Sequence, residues 1–171
     1  VILELGCRFD LKEIFIIGSS AILAVLPDPP VGELTASRDV DVIAPADEER
    51  LADQISYVLG EGSDFDKDYG YYADGVTSGT PSYAPRDWKT RTLPVRVQDV
   101  IGHCMAPDDL VLSKRGVGRE KDLDFSKSVA KLQLVKQEAL LERLVLVNCG
   151  EDHRKLIEAR VRALFADNQG P

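Results

Sequence analysis

Hydrophobic and polar positions alternate differently in the two halves of the chain. Residues 13–17, EIFII, form a short β-branched run closed by Gly18, which predicts a buried strand. Residues 39–44, DVDVIA, alternate with period two and predict a second strand, with Asp39 and Asp41 on one face and Val40 and Val42 on the other. Between them, AILAVL predicts a helix capped by Ser19 or Ser20 and stopped by the PDPP that follows, with residues 27–38 as loop. Residues 3–12 predict a short opening helix. Residues 46–61 predict an amphipathic one, with Leu51, Ile55, Val58 and Leu59 on one face. YGYYADGV, residues 69–76, reads as a short strand with a turn. TRTLPVRVQDV, residues 90–100, reads as a strand with Leu93, Val95 and Val97 inward, and Pro94 confines it to an edge or a bulge.

From residue 107 the period becomes helical through four segments, of which 136–147 and 151–165 carry clear i, i+3, i+4 stripes. This order predicts an α/β (α+β) fold: a mixed sheet of about four or five strands flanked by helices. Residues 1–106 form its core, with a helical part over 107–171 packed on it or merged with it into a single domain.

Charge adds a constraint. The 171 residues carry a net charge of −8; residues 1–111 hold 9 basic and 20 acidic side chains (−11), and residues 112–171 hold 12 and 9 (+3). An acidic front half argues against a general DNA-binding surface and suits a site for divalent cations. No apolar run reaches membrane-spanning length, and the first residues lack a secretory leader pattern. The three cysteines, Cys7, Cys104 and Cys149, are far apart and odd in number, which predicts no disulfide framework and a reducing, cytoplasmic setting. His103 beside Cys104 makes a poor zinc site, since adjacent residues seldom chelate one ion. His153, at a polar helix start, is expected in solvent. Tyr69, Tyr71, Tyr72, Tyr83 and Trp88 either stack a base or pack a loop over the sheet.

The chemistry centres on Asp39 and Asp41. Two residues apart on a strand, they project to the same side and can converge on one hard cation. Alone, such a pair is more often an exposed face of an acidic protein. Upstream, Gly18 permits a sharp bend, and Ser19 and Ser20 stand at a helix N-terminus where free N–H groups favour phosphate.

The succession IIGSSAILAV…SRDVDV resembles the signature of the nucleotidyltransferase superfamily, of the DNA polymerase β-type fold. Further on, DDLVLSKRGVGREKDLDF resembles a second block of AbiEii-like, toxin-type nucleotidyltransferases, and GEGSDF…YGYYADGV…W…R is similar to a group of uncharacterised bacterial proteins of that superfamily. The resemblance spans about residues 13–131. It implies an enzyme that moves a nucleoside monophosphate from an NTP to a hydroxyl of RNA, protein or a small molecule. Gly18, Ser19 and Ser20 would contact the triphosphate, Asp39 and Asp41 would hold Mg²⁺ or Mn²⁺, Lys114 and Arg119 would lie at the phosphates, and Asp122 would orient Lys114 or an acceptor hydroxyl. The toxin-like block tilts the acceptor toward RNA or protein and implies an antitoxin partner. The superfamily usually adds a third acid on a later strand. The strand over residues 90–100 offers none on the required face, leaving Asp87 and Asp99 as candidates. A protein lacking that acid would be a catalytically reduced nucleotide-binding or protein-interaction module on the same fold.

Overall fold

The structure, a computed structural model, describes residues 1–46 and 48–166. Five strands form one mixed sheet: β1 (Glu13–Ile17), β2 (Asp39–Ile43), β3 (Tyr72–Gly75), β4 (Leu93–Val97) and β5 (Val100–Cys104), in the order β3-β2-β1-β5-β4. β1 runs antiparallel to β2 and parallel to β5; β2 and β3 are parallel; β4 and β5 form an antiparallel hairpin. Registered partners share a face, so the period-two pattern sorts the side chains. Ile16, Val42, Gly75 and Cys104 occupy one face; Ile17, Asp41 and Asp74 occupy the other.

The face of Ile16 and Val42 is packed by α1 (Ile2–Phe9) and α2 (Glu49–Leu59), whose Leu5, Ile55 and Leu59 are fully buried. α3 (Asp64–Tyr69) leads into β3 and is capped by the Ser63 hydroxyl, which accepts from the Asp66 amide. β4 lies at the sheet edge, as Pro94 requires, because an edge strand can spare a donor. β5 is an interior strand that the sequence pattern does not announce. Gly102 and His103 interrupt its apolar run, and Gly102 is there because a side chain would crowd Ile2 of α1. The expected helix AILAVL is instead a two-turn 3-10 helix, Ser19–Ala24, and neither serine caps it.

Four helices follow among the described residues: α4 (Pro107–Val117), α5 (Glu120–Lys131), α6 (Gln137–Leu144) and α7 (Glu151–Ala166). Their stripes bury Leu140, Leu144, Ile157, Val161 and Leu164 in the same apolar cluster that holds Ile14 and Ile43 of the sheet. A charged network ties α4 and α6 to the segment before β4. Arg91 donates to Asp109 (2.9 and 3.1 Å) and to Asp87 (2.5 and 2.8 Å), while Arg143 lies 3.1 Å from Asp108 and 3.6 Å from Asp109. Trp88 is buried and stacks edge-on against Phe15. Tyr83 packs on the ring of His153, whose Nε2 lies 3.0 Å from the Gly116 carbonyl oxygen. His153 is thus engaged in packing and not left to solvent. Trp88 thus packs its segment on the sheet at Phe15, whereas Tyr83 packs the loop on α4 and α7.

Candidate functional site

The end of β1 sets the site. Gly18 takes φ 69°, a left-handed value that side-chain-bearing residues avoid, and a Cβ there would collide with the Asp41 carboxylate. Asp41 pairs with Ile17 across β1 and β2, so the glycine backbone lies directly against its side chain. The uncapped start of the 3-10 helix leaves the Ser19 hydroxyl available, and it accepts a hydrogen bond of 3.1 Å from Lys114 Nζ.

Lys114 arrives on the last turn of α4. Its Nζ also donates to Asp122 Oδ1 (3.2 Å) and sits 4.5 Å from the centre of the Phe125 ring. Arg119, the residue before α5, donates from Nε to Asp122 Oδ2 (2.7 Å) and from Nη2 to Oδ1 (3.3 Å). Asp122 is fully buried and holds both cations at once. Burial pushes its carboxyl up, but the Arg119 hydrogen bond and the Lys114 charge outweigh burial and keep it below the usual carboxylate range. For Lys114 the balance goes the other way: burial lowers its pKa against the opposing pull of Asp122. Gly18, Ser19, Asp39, Asp41, Lys114, Arg119 and Asp122 all line one cavity of about 230 Å³. Lys121 lines it too, and its charge reaches Asp41.

Opposite the cations stand the acids of β2. Asp39 accepts from the Ser37 hydroxyl. Asp41 has its pKa raised from 3.8 to about 6, first by burial and then by the charges of Asp39 and Asp74, which outweigh Lys114 and Lys121. An acid held so far above its ordinary value is short of positive charge, and a hard divalent cation would supply it. Among the described residues no group of three or more His, Cys, Asp or Glu side chains forms a cation cage. Mg²⁺ does not need one: one or two carboxylates suffice when phosphate oxygens complete its shell. Asp39 and Asp41 fit that role.

Three sequence-predicted residues stand elsewhere. Ser20 does not line this cavity; its Oγ is buried without a hydrogen-bond partner among the described residues, on a neighbouring groove. Asp87 is bound by Arg91, and Asp99 sits in the tight turn between β4 and β5, after Gln98 at φ 54°. Neither lines the cavity, because β1 and β5 separate β4 from β2. The strand beside β2 is β3, and it carries Asp74, a neighbouring acid that also lies outside the cavity lining. Asp74 pairs with Asp41 in register, its charge is felt there, and its Oδ1 accepts from Ser56 Oγ (2.8 Å). The available signal was the YYADG segment, where Asp74 follows Tyr72 and Ala73 with strand parity.

A family profile described as "Nucleotidyltransferase of unknown function (DUF6036)" matches residues 2–155. No curated protein and no solved structure matches the chain.

Proposed function

The chain belongs to that nucleotidyltransferase family, and from this premise we propose that it moves a nucleoside monophosphate from an NTP to a hydroxyl acceptor, with Mg²⁺ or Mn²⁺ held by Asp39 and Asp41. One observation carries the reading. The Gly18–Ser19 turn, the β2 acids and the Lys114–Arg119–Asp122 cluster come from distant segments, Ser19 and Lys114 being 95 residues apart, yet they line the same cavity.

Each part has a task. The Gly18 backbone and the Ser19 hydroxyl receive phosphate oxygens, and Lys114 and Arg119 offset their charge. Asp122 positions both cations and keeps them apart from the β2 acids. The divalent cation, when bound, neutralises charge on the transferring phosphate. The acceptor oxygen bonds to the α-phosphorus, the bond from that phosphorus to the bridging oxygen breaks, and pyrophosphate leaves with the electron pair. The hydroxyl proton passes to water in the cavity; Asp74, which the Ser56 hydroxyl orients, lies outside the lining and acts on Asp41 through its charge. RNA, protein and small molecules all offer such hydroxyls. The likeness of the second block to toxin-type enzymes supports a place in a toxin–antitoxin pair.

The test is incubation of the protein with each α-labelled NTP, Mg²⁺ or Mn²⁺, and total cell RNA, protein or small-molecule extract. Label should appear on an acceptor, and chelation or Asp41→Asn should abolish it. Transfer that survives both would remove the site from the mechanism. A second reading, nucleotide binding without turnover, is favoured by Asp74 standing outside the cavity lining. Tight NTP binding with no label on any acceptor would select it.

A further inference from the structure

A groove of about 510 Å³ lies against the face of the sheet that carries Ile16 and Val40, and nothing so far assigns it a ligand. Its walls are apolar: Ile2, Leu23, Leu34, Val40 and Val95 contribute, and Leu23 is 44% exposed on its rim. Its polar groups include Ser37 and Asp39, and these same two residues line the smaller cavity where we place the nucleotide. The groove therefore meets the candidate active site at Asp39. Ser20 lines it as well.

Size and charge narrow the occupant. The active-site cavity, about 230 Å³, is smaller than the roughly 300–1,000 Å³ that encloses a single drug-sized ligand. A transfer reaction needs room for two substrates, and the groove, at about 510 Å³, is the adjoining space of suitable volume. Of its lining side chains, those of Arg38 and Asp39 are charged, and Arg38 is already bound to Asp66 and to the Gly70 carbonyl oxygen. A nucleic-acid strand requires a track of cations to meet its phosphates, which this lining does not offer. An apolar wall with a few polar groups is the composition of a small-molecule site.

We propose that this groove is the acceptor site, and that it takes a small uncharged molecule with an apolar, ring-sized body and a hydroxyl directed at Asp39. The proposal rests on the transferase reading and names its substrate class. The step is the one already written: the acceptor oxygen bonds to the α-phosphorus, pyrophosphate departs with its electron pair, and the proton goes to water.

The experiment uses 2-naphthaleneethanol as the probe, its methyl ether as the control without a hydroxyl, and the variant Leu23→Glu. The rim exposure of Leu23 lets the variant fold, and its unfolding midpoint and Mg²⁺–NTP affinity should match the wild type. Fluorescence should show the probe binding without nucleotide and at least tenfold more weakly to the variant. With α-labelled NTP and Mg²⁺, the wild type should label the alcohol and not the ether. If the probe fails to bind, or binds both proteins alike, the groove is not a ligand site. Binding of probe and Mg²⁺–NTP without labelling of the alcohol would overturn the acceptor assignment, and RNA or polypeptide labelled equally by wild type and Leu23→Glu would then identify a macromolecular acceptor. Absence of Mg²⁺–NTP binding in the wild type would remove the transferase reading itself, and the acceptor role with it, whatever the groove binds.

Discussion

Asp41→Asn should make the cation-free protein more stable at neutral pH while ending its function. The native carboxyl titrates at about 6 against an ordinary 3.8, so the native state binds more protons than the unfolded state between those values. Stability therefore falls as pH rises through that window. The penalty is absent below 3.8 and complete above about 6. The gap between the two values, at 1.36 kcal/mol per pH unit, amounts to about 3 kcal/mol. About half of it is already present at pH 5. Asparagine keeps the shape against Gly18 and removes the charge. The variant should then exceed the wild type by about 3 kcal/mol at pH 7.5, or roughly 6–12 °C in midpoint for a domain of this size, and by about half of that at pH 5. Saturating Mg²⁺ should raise the wild type and leave the variant unmoved, since only a native state that binds the ion gains from it. Denaturant unfolding at both pH values, with and without Mg²⁺, measures all four quantities. A variant no more stable than the wild type at pH 7.5, or an advantage independent of pH, would refute the claim that Asp41 is an under-neutralised acid awaiting a cation.

Two further perturbations separate the site from its scaffold. Gly18→Ala should abolish NTP binding and lower stability by about 1–3 kcal/mol, because it adds backbone strain and a collision with Asp41. Gly62→Ala, at φ 77° with open space around it, is the control for strain alone and should leave NTP binding intact in the same titration. Asp109→Ala should lower stability by roughly 1–3 kcal/mol, since Asp109 is fully buried and its loss removes two hydrogen bonds of Arg91 and one contact of Arg143, while Asp87 and Asp108 still partner them. Asp87→Ala, which removes the more exposed partner of Arg91, should have the smaller effect in the same denaturant titrations.

The first half of the site was legible because it is local. β1, the Gly18 turn and the alternation of β2 lie within thirty-one residues (13–43), and period two alone puts Asp39 and Asp41 on one face. Lys114, Arg119 and Asp122 came from the resemblance of the second block, and the structure brings them to the same cavity. Asp74 was hidden for a topological reason. Its strand has four residues, and its pairing with β2 depends on a crossover through α2 and α3 that no local pattern encodes. β5 was hidden because Gly102 and His103 weaken its strand signal, although the strand is interior. Once β5 is placed between β1 and β4, the search for an acid on β4 loses its geometric basis. Ser20 shows the opposite failure. A helix-capping rule placed it with Ser19, yet in a 3-10 turn adjacent side chains diverge, and the two serines serve different cavities.

The contacts of α7 bear on where the protein can be cut. Arg160 donates to the carbonyl oxygens of Arg115 (2.7 Å) and Gly116 (3.3 Å), in the turn of α4 next to Lys114, and His153 reaches Gly116 as well. The family match stops at residue 155, five residues before Arg160 and ahead of the buried Ile157, Val161 and Leu164. Homology and mechanics thus draw different borders. A chain trimmed to the matched segment would keep every proposed catalytic side chain and lose the brace on the helix that delivers one of them. Inactivity in such a fragment would report a missing strut, not a missing reaction.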